Sequence, residues 1–288
     1  MAQLRNRKTD ALMVETKQSG SPSGGWVCPD EAQWRARRMT QASHGVLITD
    51  GNERAALAVT RSLGRRGIPV YVGSDASTSL AARSRYCSGT FRYPSPWQEP
   101  VAYADCVVEH SRRFGVRMLL PMTDLAVELI APHVEALKGE ISLPIPSLPR
   151  YRQLSNKYAL TDWARANGVP VPETVFVPDG NVGKVLGQIN QWPVIVKPGS
   201  SLVDRNGSLA RSAVHVAHDA DELMHLYQDR WYLKHPSLIQ QRIVGDGQGV
   251  FGLFSEGKPL ALFAHRRIRE KPPSGGVSVL RESIPLAY

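Results

Sequence analysis

Apolar runs alternate with amphipathic segments between residues 45 and 133, and this pattern constrains the fold more than any other feature. Residues 45–49 and 68–72 are short apolar runs of strand length, and residues 53–66 between them have helical periodicity that Gly67 ends. A strand, a helix and a second strand within about thirty residues form a βαβ unit. The sequence therefore predicts an α/β fold that begins with a parallel sheet.

The same alternation continues and brings a carboxylate to the edge of this sheet. A helix is predicted over residues 101–114, a strand over 116–120, and a further helix that Thr123 caps. Asp124 follows the carboxyl end of that strand, where open α/β sheets bind ligands. Asp124 is thus a candidate substrate-facing residue. The alternative is a carboxylate that only stabilises the start of its helix through the helix dipole.

Composition divides the chain into three parts. Residues 1–44 are polar, contain Gly, Ser and Pro around residues 19–25, and lack sustained periodicity, so we expect a disordered extension. Residues 45–149 form the α/β domain, which ends in a proline-rich connector at residues 143–149 that disfavours helix. Residues 150–288 are expected to form a second domain.

Two lysines in the second domain suggest a polyphosphate site. Lys157 lies at the start of a helical segment, and Lys197 closes an apolar strand before the loop that contains Ser200 and Ser201. A cation beside exposed backbone N–H groups suits a polyphosphate. Alternatively, Lys157 is an ordinary surface lysine. Lys197 must reach solvent or an anion, because an isolated charge at the end of a buried strand is costly.

Four segments together resemble the ATP-grasp proteins, in the branch similar to carbamoyl-phosphate synthetase and the carboxylate–amine ligases. These segments are residues 155–174, 193–201, 238–254 and 257–283. The order and spacing of the four are more specific than any one of them. The resemblance extends over roughly residues 45–288. It implies a pre-ATP-grasp, Rossmann-like domain with a parallel sheet, followed by a partial α+β ATP-grasp domain, with ATP and Mg²⁺ as cofactors.

The resemblance also implies roles for individual residues. Lys157 and Lys197 would hold the phosphates of ATP, and residues 200–207 would fold over them as a flap. The segment from Gln240 to Ile243 would be the hinge between two subdomains, where backbone groups of Gln241 and Ile243 contact adenine. Gln241 stands where the family usually has glutamate. Asp246 is the nearby candidate for the ribose hydroxyls.

ATP-grasp ligases activate a carboxylate as an acylphosphate that an amine then attacks, so the expected partners are small carboxylates and amines. Arginine binds such groups in a bidentate manner. Arg267 and Arg269 occupy alternate positions of a predicted strand, residues 260–269, and are candidate substrate ligands on one face of it. The alternative is a solvated basic edge strand.

The end of the chain departs from the family pattern. Members bind Mg²⁺ through acids and an asparagine near an Asn-Pro-Arg element, which this sequence lacks, and its last acids are Glu270 and Glu282. No metal ligand is therefore assigned. The sequence is interpreted as a fragment of a longer ligase without the Mg²⁺-binding segment, or as a non-catalytic nucleotide-binding or regulatory module. A third alternative is an α/β protein that binds a small anion.

The composition excludes several other classes of protein. The formal net charge is +9, but the basic residues are scattered rather than arranged in a stripe with aromatics, so nucleic acid is not an expected partner. No apolar stretch approaches the ~20 residues that span a membrane, so we expect a cytoplasmic protein. The three cysteines have neither zinc-site nor disulfide-framework spacing. A homo-oligomer is compatible with the sequence.

Overall fold

A computed structural model describes residues 45–271 and 276–285. The predicted extension, residues 1–44, lies outside this part of the chain. None of the helices within the described ranges is long and apolar enough to cross a membrane.

The first sheet has four parallel strands in the order β3-β2-β1-β4. These strands are β1 (Val46–Ile48), β2 (Val70–Ser74), β3 (Gly89–Arg92) and β4 (Met118–Leu120). Its helices are α1 (Arg54–Gly64), α2 (Pro100–Arg113), α3 (Asp124–Ile130) and α4 (Val134–Leu137). Leu47 and Leu119 are fully buried at its centre. The predicted parallel sheet is confirmed, although the short edge strand β3 was not predicted.

Two consecutive helices, α5 (Leu148–Ser155) and α6 (Lys157–Ala166), follow the first sheet. The expectation that the proline-rich connector contains no helix was wrong at its end. Pro149 lies in the first turn of α5, where a missing N–H leaves no hydrogen bond unmade. The cap of α6 is Asn156, whose side chain accepts a hydrogen bond from the Ala159 N–H at 3.1 Å.

The second sheet is antiparallel and has the order β5-β10-β6-β9. These strands are β5 (Thr174–Val177), β6 (Val194–Pro198), β9 (His215–Ala217) and β10 (Ser237–Gln241). The helix α7 (Ala220–Asp229) contributes Leu223 to its core. Two short 3₁₀ turns, Val182–Lys184 and Leu186–Gln188, precede β6, and the glycines in this segment disfavour a continuous helix.

A hairpin of β7 (Leu202–Arg205) and β8 (Ser208–Arg211) extends from the end of β6. Its turn places Asn206 at φ 56° and Gly207 at φ 82°, as a tight hairpin turn requires. A third sheet is formed by β11 (Gln248–Ser255), β12 (Lys258–Lys271) and β13 (Val277–Ile284), which are antiparallel in that order. The first sheet and the hairpin together position the candidate site.

Candidate functional site

Lys157 and Lys197 lie in one half-buried region at the end of β6. The Lys157 N–H donates to the Gly199 carbonyl at 2.6 Å, so the start of α6 is attached directly to the loop that follows Lys197. Burial lowers the pKa of Lys197, and the positive charge of Lys157 lowers it further. Burial also lowers the pKa of Lys157, an effect that the charge of Asp124 opposes. Among the described residues, neither lysine forms an ion pair with a carboxylate, so the region is electropositive.

A chain of hydrogen bonds orients Lys197. Its ammonium donates to the Gln240 Oε1 at 2.7 Å, and the Gln240 Nε2 donates to the Thr174 Oγ1 at 2.9 Å. Gln240 is 5% exposed. The side chain of Gln240 is therefore a support for Lys197 within the sheet rather than a group that faces solvent.

The hairpin begins beside the two lysines. The Lys157 ammonium donates to the Ser201 Oγ at 2.9 Å. The base of the hairpin is closed by Ser212, whose hydroxyl donates to the Ser200 carbonyl at 2.6 Å and whose N–H donates to the Ser201 carbonyl at 3.0 Å. The segment expected to cover the phosphates is thus a β-hairpin whose base contacts Lys157.

The segment predicted to contact adenine follows β10. The Gln241 N–H donates to the Glu173 carbonyl at 2.9 Å, so this donor is used within the sheet. Ile243 is exposed, and within the described ranges its backbone forms no hydrogen bond to another backbone group. Asp246 lies in the same exposed segment; the hydrogen bond with Glu282 chiefly raises the pKa of Arg266, and the charge of Asp246 adds to this effect.

A bulge interrupts the strand that carries Arg267 and Arg269. The pairing of β12 with β13 shifts register on both sides of Arg269, so the regular alternation assumed from the sequence does not hold there. Arg267 donates to the Glu270 carboxylate at 3.1 Å. Within the described ranges, no hydrogen bond joins these arginines to Lys157 or Lys197.

The last acids of the chain have arginine partners. Glu270 pairs with Arg267, and the Glu282 carboxylate accepts a hydrogen bond from the Arg266 Nε at 2.9 Å. In the part of the chain that the structure describes, no group of three His, Cys, Asp or Glu side chains could hold a metal ion. The described residues therefore contain no preassembled cluster of three such ligands.

Asp124 lies in a cleft between the first sheet and the hairpin. One cavity of the cleft, about 380 Å³, is lined by Asp124, Met122, Ser201 and Ser212. Asp124 accepts a hydrogen bond from the Tyr151 hydroxyl at 2.8 Å. The cleft thus connects the substrate-facing candidate Asp124 with Ser201, the hydrogen-bond partner of Lys157.

A second cavity, about 140 Å³, continues the cleft along the carboxyl edge of the first sheet. Asp50, Asp75 and Trp97 line it, and Arg211 of the hairpin lines both cavities. Glu53 also belongs to both. Sequence analysis did not identify these residues, because their proximity depends on how the hairpin packs against the sheet. The positions of Asp50 and Asp75 just after β1 and β2 are the one signal that could have indicated them.

No protein-family model matches the chain, and no curated protein matches it. Solved structures do. An L-amino acid ligase from Bacillus licheniformis has 15% identity and a TM-score of 0.57 over 85% of this chain and 55% of its own. A carboxyaminoimidazole ribonucleotide synthase from Aspergillus clavatus, complexed with ATP, has 16% identity and a TM-score of 0.56 over 80% of this chain and 56% of its own.

A pyruvate carboxylase from Rhizobium etli is similar over 80% of this chain and 21% of its own, with 18% identity and a TM-score of 0.55. The chain spans about half the length of the first two proteins. At these identities the likeness is one of fold. The chain has the fold of the ATP-grasp ligases, so the fold class that the sequence resemblance implied is confirmed.

Proposed function

We propose that this chain binds ATP, with the triphosphate between Lys157, Lys197 and the base of the β7–β8 hairpin. The observation that carries the proposal is the pair of half-buried lysines, which form no ion pair with a carboxylate among the described residues. Two desolvated ammonium groups repel each other, and a polyphosphate would supply the missing negative charge. The backbone of Ser200 and Ser201 lies at the same place.

Adenine would bind at the end of β10, in the exposed segment that follows it. Because the Gln241 N–H is used in the sheet, we assign the contacts to the Gln241 carbonyl and to the backbone of Ile243. Asp246 would contact the ribose. Gln240 would act indirectly, by holding the Lys197 ammonium in place.

We further propose that the whole protein is an ADP-forming ligase that activates a carboxylate as an acylphosphate for an amine. The support is the fold and the cleft beside Ser201, which would place a carboxylate next to the terminal phosphate. Arg267 and Arg269 remain proposed substrate ligands on the third sheet. A cytoplasmic location follows from ATP as the ligand.

A non-catalytic nucleotide-binding module is the second candidate function. The observation that favours it is the pairing of Glu270 and Glu282 with Arg267 and Arg266, which occupies both carboxylates. Both candidates require ATP binding, and only the ligase requires turnover. ATP turnover by the purified chain with a panel of amines and carboxylates would decide for the ligase.

Calorimetric titration with ATP tests the common element of both candidates. Lys157→Ala and Lys197→Ala should each weaken binding about tenfold to a hundredfold, because each removes a charge-assisted hydrogen bond to phosphate. Lys184→Ala is the matched control, since Lys184 is exposed and pairs with Asp179 away from this region. Equal ATP affinities in the wild type and both site variants would disprove the phosphate assignment.

A further inference from the structure

We propose that the amino edge of the first sheet binds a small molecule that carries a phosphate group, at Arg65, Arg85 and Tyr86. This edge is opposite to the carboxyl edge, which carries Asp124, so the site is separate from the proposed ATP site. The inference goes beyond the proposed function and does not rest on it.

The segment from α1 to the loop after β3 has an uneven charge balance. Residues 54–98 contain seven arginines and no lysine, and Asp75 is the only acid among them. Asp75 directly follows β2, at the carboxyl edge of the sheet. The part of this segment at the amino edge therefore contributes positive charge and no carboxylate. A surface of this kind attracts anions.

The chain topology brings two of these arginines to the amino edge. The helix α1 returns from the carboxyl end of β1 to the start of β2, so Arg65, the residue after this helix, lies at the amino edge. Arg85 and Tyr86 lie shortly before β3. Their loop is attached to the start of β2, because the Ser88 N–H donates to the Val70 carbonyl at 2.8 Å. The two segments therefore meet at one edge of the sheet.

Tyr86 packs directly against the end of α1. Gly64 is the last residue of α1, and a β-carbon added there would lie 2.5 Å from the Tyr86 Cβ and 3.0 Å from the Tyr86 carbonyl oxygen. A larger residue would push the two segments apart. The glycine thus allows Tyr86 to lie beside Arg65, the next residue of the chain.

Two guanidinium groups converge on the Tyr86 hydroxyl. The Arg85 guanidinium donates to this oxygen at 2.8 Å and lies 4.8 Å from the centroid of the ring. The hydrogen bond from Arg85 chiefly lowers the pKa of Tyr86, and a hydrogen bond from Arg65 lowers it further. Among the described residues, neither arginine forms an ion pair with a carboxylate.

This arrangement leaves both positive charge and a hydrogen-bond donor for a ligand. Guanidinium groups stay protonated, so neither arginine can lose its charge to relieve their mutual repulsion. The neutral Tyr86 oxygen does not offset that charge. Because this oxygen accepts from the arginines, the hydroxyl hydrogen remains to donate to an anion. One anion could therefore accept hydrogen bonds from all three side chains.

The usual role of a basic residue at a helix end does not account for this site. Arginine in the last turn of a helix stabilises the helix dipole and the last carbonyls. Arg66 has this role, since its guanidinium donates to the Ser62 carbonyl at 3.0 Å. Arg85 belongs to no helix, and its hydrogen bond is to Tyr86 rather than to a helix carbonyl.

The three donor groups favour a phosphate group over a carboxylate. A phosphate monoester has three acceptor oxygens and a charge of about −1.5 to −2 near neutral pH, whereas a carboxylate has two oxygens and one charge. The fork of donors on arginine matches two oxygens of a phosphate. Arg65 and Arg85 are exposed, so a phosphate group at the end of a larger molecule can reach them.

NMR spectroscopy of the full, isotope-labelled chain tests the site with defined anions. Inorganic phosphate, phenyl phosphate and acetate are titrated at constant ionic strength. Both phosphates should shift the side-chain signals of Arg65, Arg85 and Tyr86 and bind about tenfold or more tightly than acetate. They should also raise the pKa of Tyr86, because the anion offsets the arginine charges. Equal binding of acetate, or phosphate binding that leaves the Tyr86 pKa unchanged, would overturn the inference.

Two substitutions of Arg85 separate its donor geometry from its charge. Arg85→Gln should weaken inorganic phosphate about tenfold to a hundredfold, because it removes charged donors. Arg85→Lys keeps the charge but loses the fork, so it should retain part of the affinity. Arg230→Gln, the same change of charge at an exposed arginine just after α7, is the control and should have no effect. Equal weakening by Arg230→Gln and Arg85→Gln would overturn the assigned site.

Lys197→Ala distinguishes this site from the proposed ATP site. It should weaken ATP and leave the shifts that phosphate causes at Arg85 unchanged, whereas Arg85→Gln should have the reverse effect. Loss of phosphate binding in Lys197→Ala alone would place the anion at the proposed ATP site and overturn this inference. Phosphate binding at Arg85 in a chain that does not bind ATP would reject the proposed function alone.

Discussion

The Lys197 ammonium donates a hydrogen bond to the side-chain oxygen of Gln240 at 2.7 Å, across two adjacent antiparallel strands. The Gln240 amide donates in turn to Thr174, which fixes the orientation of the glutamine. Lys197 is therefore held in one conformation by a neutral partner. A glutamate at this position would instead neutralise its charge.

Gln240→Leu should lower the free energy of unfolding by about 1–3 kcal/mol, because it leaves the half-buried hydrogen-bonding groups of Lys197 and Thr174 without a partner. ATP affinity should also fall, since Lys197 loses its orientation. Gln240→Glu should weaken ATP binding by pairing with Lys197. Urea unfolding and calorimetry measure both effects, and the exposed Gln188→Leu is the control. Unchanged stability in Gln240→Leu would contradict the role assigned to this chain of hydrogen bonds.

As pH increases, ATP affinity should begin to decrease at a lower pH than it would if both lysines were exposed. Burial lowers the pKa of both Lys157 and Lys197, so each ammonium loses its proton below the ordinary lysine range, and the neutral amine binds phosphate weakly. Titrations from about pH 7.5 to about pH 10 measure this decline. Lys157→Arg, which stays protonated, should flatten the profile. A flat wild-type profile over this range would argue against both lysines as phosphate ligands.

Asp50→Asn should stabilise the protein at neutral pH. The folded-state pKa of Asp50 is raised above 3.8, chiefly by burial and also by Glu53, against hydrogen bonds that lower it. The native state therefore binds this proton more tightly than the unfolded state, and stability falls as pH rises through the raised pKa. Asparagine tolerates the left-handed backbone at this position.

Thermal unfolding at several pH values measures this effect. The midpoint of Asp50→Asn should exceed that of the wild type at neutral pH, and the difference should close below about pH 4. Asp229→Asn should follow the wild type throughout. A lower midpoint for Asp50→Asn at every pH would show that its carboxylate stabilises the fold.

Gly207→Ala should loosen the β7–β8 hairpin, because Gly207 has φ 82° and an alanine there costs about 1–2 kcal/mol. The cost should be local to the hairpin, so hydrogen exchange of its amides should accelerate while the global unfolding midpoint changes little. Gly187→Ala is the control, since nothing lies within 4 Å of the added methyl group. Slower exchange in Gly207→Ala would contradict the assigned turn.

The third sheet should promote self-association. Leu253 and Leu260 are 59% and 65% exposed on it, beside other exposed apolar side chains. Light scattering should show less association after Leu253→Lys combined with Leu260→Lys. Leu154→Lys, at a leucine of α5 that is also 59% exposed, is the control and should not reduce association. An equal reduction of association by the control would show that the effect comes from net charge alone.

The local elements and the two lysines could be predicted from the sequence alone. Apolar periodicity located β1 and β6, and Lys197 was identified because it closes a buried strand. Thr123 was predicted as a cap, and its side chain does accept a hydrogen bond from the Ala126 N–H. These features depend on residues within a few positions of one another, where backbone sterics and hydrogen bonding act directly.

The contacts between residues distant in the sequence depend on the tertiary structure. Gln240 lies 43 positions from Lys197, and their contact depends on the pairing of β10 with β6 rather than on any local preference. The cleft formed by Asp50, Asp75 and Arg211 depends likewise on the packing of the hairpin against the parallel sheet. The bulge at Arg269 follows from the register between β12 and β13. Such contacts are fixed by the strand order, register and packing of the whole chain. The free energy gained by burying apolar surface depends on the complete arrangement and not on any single segment.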